Sequence, residues 1–223
     1  MIKVRGVFKE VKMDLIKDIS ESLEIGDAER VTELTKQALG TGVPAAAVLN
    51  QGLILGMNRI GKKFKDHEIF LPDVLLAAKA MYAGMDLIKP LLIKENIPTL
   101  GKVVIGSIQG DLHDIGKNLV AIMLKGVGFE IIDLGNDVAP EKFVAAAQKE
   151  NAQVIGMSAL LTTTMPGMKK VVDLLKEKGL AGRVKVIVGG APVTDEYRQE
   201  IGADAYGYDA ANAVDKVKQL VGA

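Results

Sequence analysis

The residues with the clearest chemical potential lie in one short stretch, Gly110–Asn118, which reads GDLHDIGKN. Asp111 stands two residues before His113, near enough to accept one ring N–H. That hydrogen bond would leave the other ring nitrogen free as an acceptor or metal ligand. Gly116 lets the chain pass close to a bulky group before the next helix begins. The stretch therefore predicts a histidine site whose tautomer and ring orientation are set by a carboxylate.

A simpler interpretation stays open on residue types alone. In it, His113 is solvated in a polar loop and Asp114 caps the following helix. A phosphate-binding loop is disfavoured, because the spacing from Gly110 to Gly116 is one residue too long and Asn118 stands where Ser or Thr should bind magnesium. Two carboxylates in the loop would also repel a phosphate.

The stretch follows an apolar run, Val103–Gly106, and precedes a helical pattern, so it is the turn from a first strand into a first helix. From Lys102 onward, apolar runs alternate with helical patterns. The predicted strands are 102–107, 129–134, 153–158, 184–189 and 203–206, and the predicted helices are 115–126, 140–149, 165–178, 194–201 and 209–221. This alternation predicts a parallel sheet covered by helices on both faces.

A flavodoxin-like strand order, 2-1-3-4-5, would open a crevice where the connections after strands one and three diverge. Strand three leads into a hydroxyl-rich stretch, Ser158–Thr164, and strand four leads into Gly189 and Gly190. We therefore expect these features to meet the histidine turn at the carboxyl edge of the sheet. Taken singly, the glycine pair also fits an ordinary turn, and the threonines also fit a polar cap before the helix at Met165-Pro166.

Residues 1–95 show helical periodicity and hardly any strand pattern, which predicts a four-helix bundle. Residues 91–101 are predicted to be a linker to a second domain, 96–223. Asp27 is expected to cap the second helix, Pro44 to open the third, and the fourth to run from Leu71 to Pro90. The apolar positions expected to face the bundle core include Met13, Ile16, Ile19, Leu23, Leu49, Leu53, Ile60, Leu75, Met81 and Met85. A stripe of this kind is typical of an ordinary bundle core.

Composition removes several classes of function. Lys plus Arg equals Asp plus Glu at 28 each, and only 4% of residues are aromatic, so no nucleic-acid partner is expected. The absence of cysteine excludes a thiolate nucleophile and cysteine-ligated zinc or iron–sulfur sites. Neither a signal sequence nor a membrane span is evident, so we expect a cytoplasmic protein without a membrane partner.

The stretch GDLHDIGKNLV, with SAL at Ser158–Leu160 and the glycine pair Gly189-Gly190, resembles the cobalamin-binding signature of corrinoid proteins in methyl transfer and of methionine synthase. GMNRIGKKF at 56–64 and EIFLP at 68–72 resemble the helical domain that caps the upper face of methylcobalamin in this family. The resemblance implies a helical-bundle cap followed by a Rossmann-like, flavodoxin-type cobalamin domain with a five-stranded parallel sheet. Lys62 stands where methionine synthase has a cofactor-contacting Glu.

The resemblance also assigns roles to residues. It implies that His113 is the lower ligand of cobalt, that Asp111 binds the other ring nitrogen, and that Thr164 takes the place of a Ser that extends this relay. The small side chains at Ser158, Gly189 and Gly190 would leave a slot for the nucleotide tail of the cofactor. The implied cofactor-binding set is Gly110, Asp111, Leu112, His113, Asp114, Gly116, Ser158, Leu160, Thr162, Gly189, Gly190 and Ala210.

The implied function is that of a corrinoid methyl carrier rather than a complete enzyme. Such a carrier accepts a methyl group on Co(I) from a substrate-specific methyltransferase, and a second methyltransferase transfers it to a folate, pterin or thiol. A reductive activator is a further expected partner. Two alternatives remain: a cobalamin-dependent sensor or regulator, and the cobalamin subunit of an isomerase. The methyl donor is not encoded in these motifs.

Overall fold

The computed structural model describes residues 2–94 and 99–223, and its contacts divide the chain into two compact units, 1–98 and 99–223. The first unit is helical, and the second is built on a parallel sheet. Within the described residues, no helix combines the length and apolar character needed to cross a bilayer.

The helical unit forms the predicted four-helix bundle. Its elements are α1 (Ile2–Glu24), α2 (Ala28–Gly40), α3 (Ala45–Ala47), a π-helical stretch (Val48–Leu53), α4 (Ile54–Lys65) and α5 (Leu71–Lys94). The cap predicted for α2 is confirmed, since the side chain of Asp27 accepts a hydrogen bond from Arg30 N at 2.9 Å. The α3 helix, the π-helical stretch and α4 follow one another without a break, so together they are the predicted third helix.

The π-helical stretch was not predicted, because apolar spacings of three and four residues do not distinguish a π turn from an α turn. This stretch and the start of α4 pack closely on α1. A Cβ on Gly52 would lie 3.1 Å from Ile19 Cγ2, and one on Gly56 would lie 3.0 Å from the backbone oxygen of Ser20. Glycine at these two positions therefore permits the close approach of the two helices.

Two expectations for the helical unit were wrong in detail. Met13 is 62% exposed and Leu75 is 45% exposed. Ile19, Leu23 and Met81 are buried as predicted. The other buried positions on these two helices are Leu15 on α1 and Val74, Ala77, Ala78 and Ile88 on α5. The packing of neighbouring helices, rather than apolar type alone, decides which side of a helix is buried.

The fourth helix was also predicted to end at Pro90, but α5 continues to Lys94. Proline removes one helical hydrogen bond, and Pro90 and Asp86, four residues earlier, are both exposed residues of this helix. Residues 91–94 of the predicted linker are therefore helical, and residues 95–98 lie outside the described residues.

The α/β unit confirms the predicted sheet. Its strands are β1 (Lys102–Ser107), β2 (Glu130–Asp133), β3 (Val154–Ser158), β4 (Lys185–Gly189) and β5 (Ala205–Gly207), and its helices are α6 (Ile115–Gly126), α7 (Pro140–Glu150), α8 (Pro166–Glu177), α9 (Asp195–Ile201) and α10 (Ala210–Val221). The order is β2-β1-β3-β4-β5, and every pairing is parallel. The carboxyl ends of β1 and β3 are therefore adjacent, as the flavodoxin-like order requires.

The register aligns a row of small residues across four strands at this carboxyl edge. Ser107 pairs with Ser158, Ser158 with Gly189, and Gly189 with Gly207. Below this row the strands are apolar, with Val104, Ile155 and Val188 fully buried. The carboxyl edge of the sheet therefore has almost no side-chain volume, and the loops that carry the predicted site follow directly from it.

A buried ion pair fixes the first turn of α6 to the end of β2. Lys117 Nζ lies 2.7 Å from both carboxylate oxygens of Asp133 and 2.6 Å from Asn118 Oδ1. The side chain of Lys117 is only 1% exposed, whereas that of Asp133 is 37% exposed. All three ammonium protons have acceptors, so the buried charge is compensated.

Candidate cofactor site at the carboxyl edge of the sheet

The histidine of the signature has the geometry expected of a preoriented ligand. His113 Nδ1 lies 2.8 Å from Asp111 Oδ1, and the His113 backbone N–H donates to the same oxygen at 3.0 Å. Because an ionised carboxylate only accepts hydrogen bonds, Nδ1 must carry the proton, and the lone pair of the neutral ring is on Nε2. The His113 side chain is 54% exposed, so Nε2 is available to a ligand.

Asp111 is a buried carboxylate held by backbone amides. Its Oδ2 accepts from Leu160 N at 2.6 Å and Leu161 N at 3.3 Å, and its side chain is 0% exposed. Burial alone would raise the pKa of Asp111, but the N–H groups of Leu160 and His113, the His113 ring and the Leu161 N–H lower this pKa to about 2. Asp111 is therefore ionised at neutral pH and acts as a fixed acceptor.

Thr164 completes the hydrogen bonds to this carboxylate. Its Oγ1 lies 3.2 Å from Asp111 Oδ2 and 2.8 Å from the backbone oxygen of Leu161. A hydroxyl group has a single proton, so only one of these acceptors can receive it at a time. The shorter distance favours Leu161 O, and Thr164 is consequently a weaker partner of Asp111 than the two amides are.

The backbone of the histidine loop, residues 108–114, is held from its other side by residues that the sequence analysis missed. The Gly110 N–H donates to Asp137 Oδ1 at 2.8 Å, and the Asp137 N–H donates to Asp111 O at 3.0 Å. Asn136 Nδ2 donates to Leu112 O at 3.3 Å, in the same β2–α7 loop, residues 134–139. The available signal was the polar run DLGND at 133–137, which directly follows the strand next to β1.

Large apolar side chains are exposed on the loops that carry His113 and bond to Asp111. Leu112 and Ile115 are 70% and 72% exposed on the histidine loop and the start of α6, and Leu160 and Leu161 are each 43% exposed after β3. Large apolar side chains exposed together are typical of a ligand or interaction surface. This surface is suited to a wide, flat, largely apolar group that places a metal over Nε2.

At the sheet edge, the ends of β4 and β5 have no room for larger side chains. A Cβ on Gly190 would lie 1.9 Å from Ala159 O, and one on Gly189 would lie 2.9 Å from Gly207 O. The φ of Gly190 is +121°, which side chains rarely adopt. Ala210, in the first turn of α10, is also buried.

The structure separates the sequence-predicted residues into groups. Asp111, His113 and Thr164, with the Leu160 backbone, form one hydrogen-bonded cluster, and Ser158, Gly189 and Gly190 line the sheet edge. Gly116 is exposed, and a Cβ there would meet no protein atom within 4 Å. Lys62, on α4, makes an exposed ion pair with Asp66 at 2.6 Å.

Two of the simpler interpretations are wrong. Asp114 stands at the cap position of α6, but its side chain makes no capping hydrogen bond. Thr164 bonds to Asp111 and Leu161 instead of capping α8, whose cap position is Met165. Thr162 is exposed and is not among the donors to Asp111 in the described residues.

Comparisons with known proteins agree with this geometry. The model of the B12 binding domain matches residues 101–215, and a second B12 binding domain model matches residues 15–89. The chain belongs to the B12-binding family. Its cofactor is cobalamin or a related corrinoid.

Members of the family align with this chain over nearly its whole length. Trimethylamine corrinoid protein 1 of Methanosarcina mazei is 43% identical and covers 93% of this chain and 97% of its own length. Dimethylamine corrinoid protein 1 of Methanosarcina acetivorans is 41% identical, with coverages of 94% and 99%. The methanol:cobalamin methyltransferase complex MtaBC from Methanosarcina barkeri gives a TM-score of 0.84 at 32% identity, covering 94% of this chain and 80% of that one.

The residues at the carboxyl edge fit a corrinoid. One imidazole nitrogen is free beside an exposed apolar surface, as a metal that brings its own planar macrocycle would require. The glycines at the sheet edge are required by the protein's own packing, because a Cβ on Gly189, Gly190 or Gly207 would lie 2.9, 1.9 or 2.8 Å from a protein atom. The slot for the nucleotide tail therefore stays a prediction, and the imidazole with the exposed apolar side chains is the feature that fits the cofactor.

Proposed function

We propose that the protein is a corrinoid methyl carrier in which His113 would hold the cobalt of the bound corrinoid. One observation carries this proposal: the Nδ1–H of His113 is bound to a buried, ionised Asp111, which leaves Nε2 free and exposed among apolar side chains. An imidazole fixed in this way is a typical metal ligand with a carboxylate behind it. The names of the relatives, corrinoid proteins for trimethylamine and dimethylamine, support the methyl-transfer role.

When bound, the corrinoid supplies a cobalt centre that takes up and releases a methyl group. The chain's own residues hold and orient it. Asp111 fixes the tautomer and the direction of the His113 ring, and the Leu160 and Leu161 amides keep Asp111 ionised while it does so. Leu112 and Ile115 are exposed apolar side chains next to His113 in the chain, which the bound corrinoid would cover. The proton on Nδ1 is retained because its acceptor has a pKa of about 2.

The proposed partners are two methyltransferases. A substrate-specific methyltransferase would load the methyl group, and a second would transfer it to a folate, pterin or thiol acceptor. The MtaBC complex supports a methyltransferase partner of the first kind. Because the relatives' names include methylated amines and methanol, we place the choice of donor in the partner enzyme. We also propose that a reductive activator is a partner of the protein and that the protein is cytoplasmic.

The test uses the two histidines of the chain, His113 and His67. The full-length protein, labelled with ¹⁵N-histidine, is reconstituted with cobalamin, freed of unbound cofactor and reduced to the cobalt(II) form. Electron paramagnetic resonance then reports whether a protein nitrogen is bound to cobalt. His113→Asn is compared with His67→Asn, which is a matched control because His67 lies on the helical unit with a φ of 59°, a conformation that asparagine tolerates.

We expect histidine nitrogen coupling in the wild type and in His67→Asn, and its loss in His113→Asn. Coupling that persists in His113→Asn would refute the ligand assignment. The methyl-carrier role is then tested with the wild type loaded with ¹⁴C-methyl and incubated with a purified amine or methanol corrinoid methyltransferase partner. Failure of the label to exchange with any such methylated substrate would contradict the carrier role while leaving the ligand assignment intact.

A further inference from the structure

We infer that Asp137, in the β2–α7 loop, is a positioning residue that holds the histidine loop in the conformation in which His113 can bind cobalt. The inference rests on the proposed ligand role of His113. It goes beyond that role, because Asp137 does not belong to the histidine signature and lies 24 residues after His113 in the sequence.

Asp137 holds both ends of one short piece of backbone. Its carboxylate accepts from the N–H of Gly110 at 2.8 Å, and its own N–H donates to the carbonyl of Asp111 at 3.0 Å. Gly110 has a φ of +85°, so without a partner for its N–H this residue has wide conformational freedom. The two bonds from Asp137 therefore fix the point at which the chain turns from β1 toward the ligand.

The opposite side of the loop is held through a side chain rather than through the backbone. Leu160, Leu161 and Thr164 all bond to Asp111 Oδ2. Those contacts orient the carboxylate, but they do not bond the backbone of residues 110–112. Within the β1 turn, Asp111 N donates to Ile108 O at 3.0 Å and Ser107 Oγ donates to His113 O at 2.6 Å. From outside that turn, the β2–α7 loop restrains the backbone through Asp137 and through Asn136 Nδ2, which donates to Leu112 O at 3.3 Å.

The backbone of Asp137 shows that this contact is maintained against a conformational cost. Its φ is 52°, in the left-handed region that non-glycine residues adopt infrequently. A glycine would satisfy that φ without strain, but it would lose the acceptor for Gly110 N. An aspartate at this position combines tolerance of the left-handed conformation with a side-chain acceptor. The carboxylate, rather than the turn, is thus the feature that the site requires.

The two possible roles of Asp137, turn former and carboxylate acceptor, predict different effects of the same substitutions. If Asp137 only forms a turn, Asp137→Gly should behave like the wild type and Asp137→Ala should be impaired by strain. If its carboxylate positions the loop, both variants should bind cobalt through His113 less well than the wild type. Asp137→Asn, which keeps an oxygen acceptor, should then behave like the wild type. Asn151, with a φ of 53° at the end of α7, has the same backbone conformation and provides the control through Asn151→Gly and Asn151→Ala.

The readout is the ratio of histidine-bound to histidine-free cobalt(II) corrinoid in the full-length protein, from electron paramagnetic resonance. We expect this ratio to fall about tenfold in Asp137→Gly and Asp137→Ala, the factor expected for losing one charge-assisted hydrogen bond. The Asn151 variants should keep the wild-type ratio. In the cofactor-free protein, the Gly110 amide should exchange with solvent about tenfold faster in both impaired variants.

A wild-type ratio in Asp137→Gly would overturn the inference and leave Asp137 a turn residue. Unchanged Gly110 exchange in that variant would overturn it independently of the cofactor. If histidine coupling were absent from the wild type, the proposed ligand role of His113 would fail, and the exchange measurement would still decide whether Asp137 holds the loop.

Discussion

The ionised Asp111 makes a stability contribution that can be measured without the cofactor. Its pKa falls from 3.8 to about 2 on folding, and this difference corresponds to about 2.4 kcal/mol. Because the folded-state value is the lower one, the contribution is fully present above the unfolded-state pKa. It is lost as the pH falls through the folded-state value. Asp111→Asn removes the titrating group, so the difference in unfolding free energy between the two proteins should shrink in acid.

The expected size follows from the two pKa values. Between pH 6 and pH 3 the difference should shrink by about 1 kcal/mol, and by pH 2 it should have shrunk by about 2 kcal/mol. Asparagine also presents an N–H₂ group to the amides of Leu160 and Leu161, which adds a cost that does not depend on pH. The change with pH, and not the absolute difference, therefore isolates the charge.

The assay is urea unfolding of the cofactor-free protein, followed by tyrosine fluorescence. The chain has four tyrosines, and a Tyr82→Phe background leaves only those in the α/β unit. Asp86→Asn, at an exposed position on α5, controls for the removal of one carboxylate outside the α/β unit. A wild-type minus Asp111→Asn difference that is the same at pH 6 and pH 3 would refute the proposed state of the carboxylate.

Three further outcomes are expected. Asp133→Asn should destabilise the α/β unit by about 3 kcal/mol in urea unfolding, because it leaves the buried charge of Lys117 without its partner. Lys117→Met removes that buried charge and should cost about 1 kcal/mol. Equal costs for the two variants would contradict this. Gly190→Ala should cost more than about 4 kcal/mol or prevent folding, and Gly182→Ala, at a positive φ but in open space, should cost about 1 kcal/mol. Thr164→Val should move the pKa of the buried carboxylate by less than about one unit in a ¹³C nuclear magnetic resonance titration, since its proton is shared with a backbone oxygen; a larger rise would show that the hydroxyl is a principal donor.

Much of the architecture was accessible from the sequence because it depends on local patterns. The alternation of apolar runs and helical segments after Lys102 predicted the parallel sheet, and Asp27 marked the start of α2. The strand order was not contained in that pattern and followed from the resemblance to corrinoid proteins. The sequence was less informative about which helix face is buried, as Met13 shows, and about the π-helical stretch at Val48–Leu53. Both depend on contacts with neighbouring helices.

In the candidate site, too, contacts between residues near in sequence were predictable and contacts between distant residues were not. The proximity of Asp111 and His113 was predictable because the two residues are in one turn, and the structure gives 2.8 Å between Oδ1 and Nδ1. The Leu160 N–H bond to Asp111 joins residues 49 positions apart, and nothing in either local sequence specifies it. The same is true of the Asp137 contact with Gly110, across 27 positions.

The sequence by itself therefore determined the elements, their order along the chain and the turn that joins Asp111 to His113, since periodicity, glycine conformation and short-range hydrogen bonding act over a few residues. Only the tertiary structure decided how that turn is held. The parallel register brings Ser107, Ser158, Gly189 and Gly207 into one row, and it sets the loops after β1, β2 and β3 side by side. Hydrogen bonds between those loops exist only after distant strands have paired, because pairing fixes positions that the local sequence leaves free.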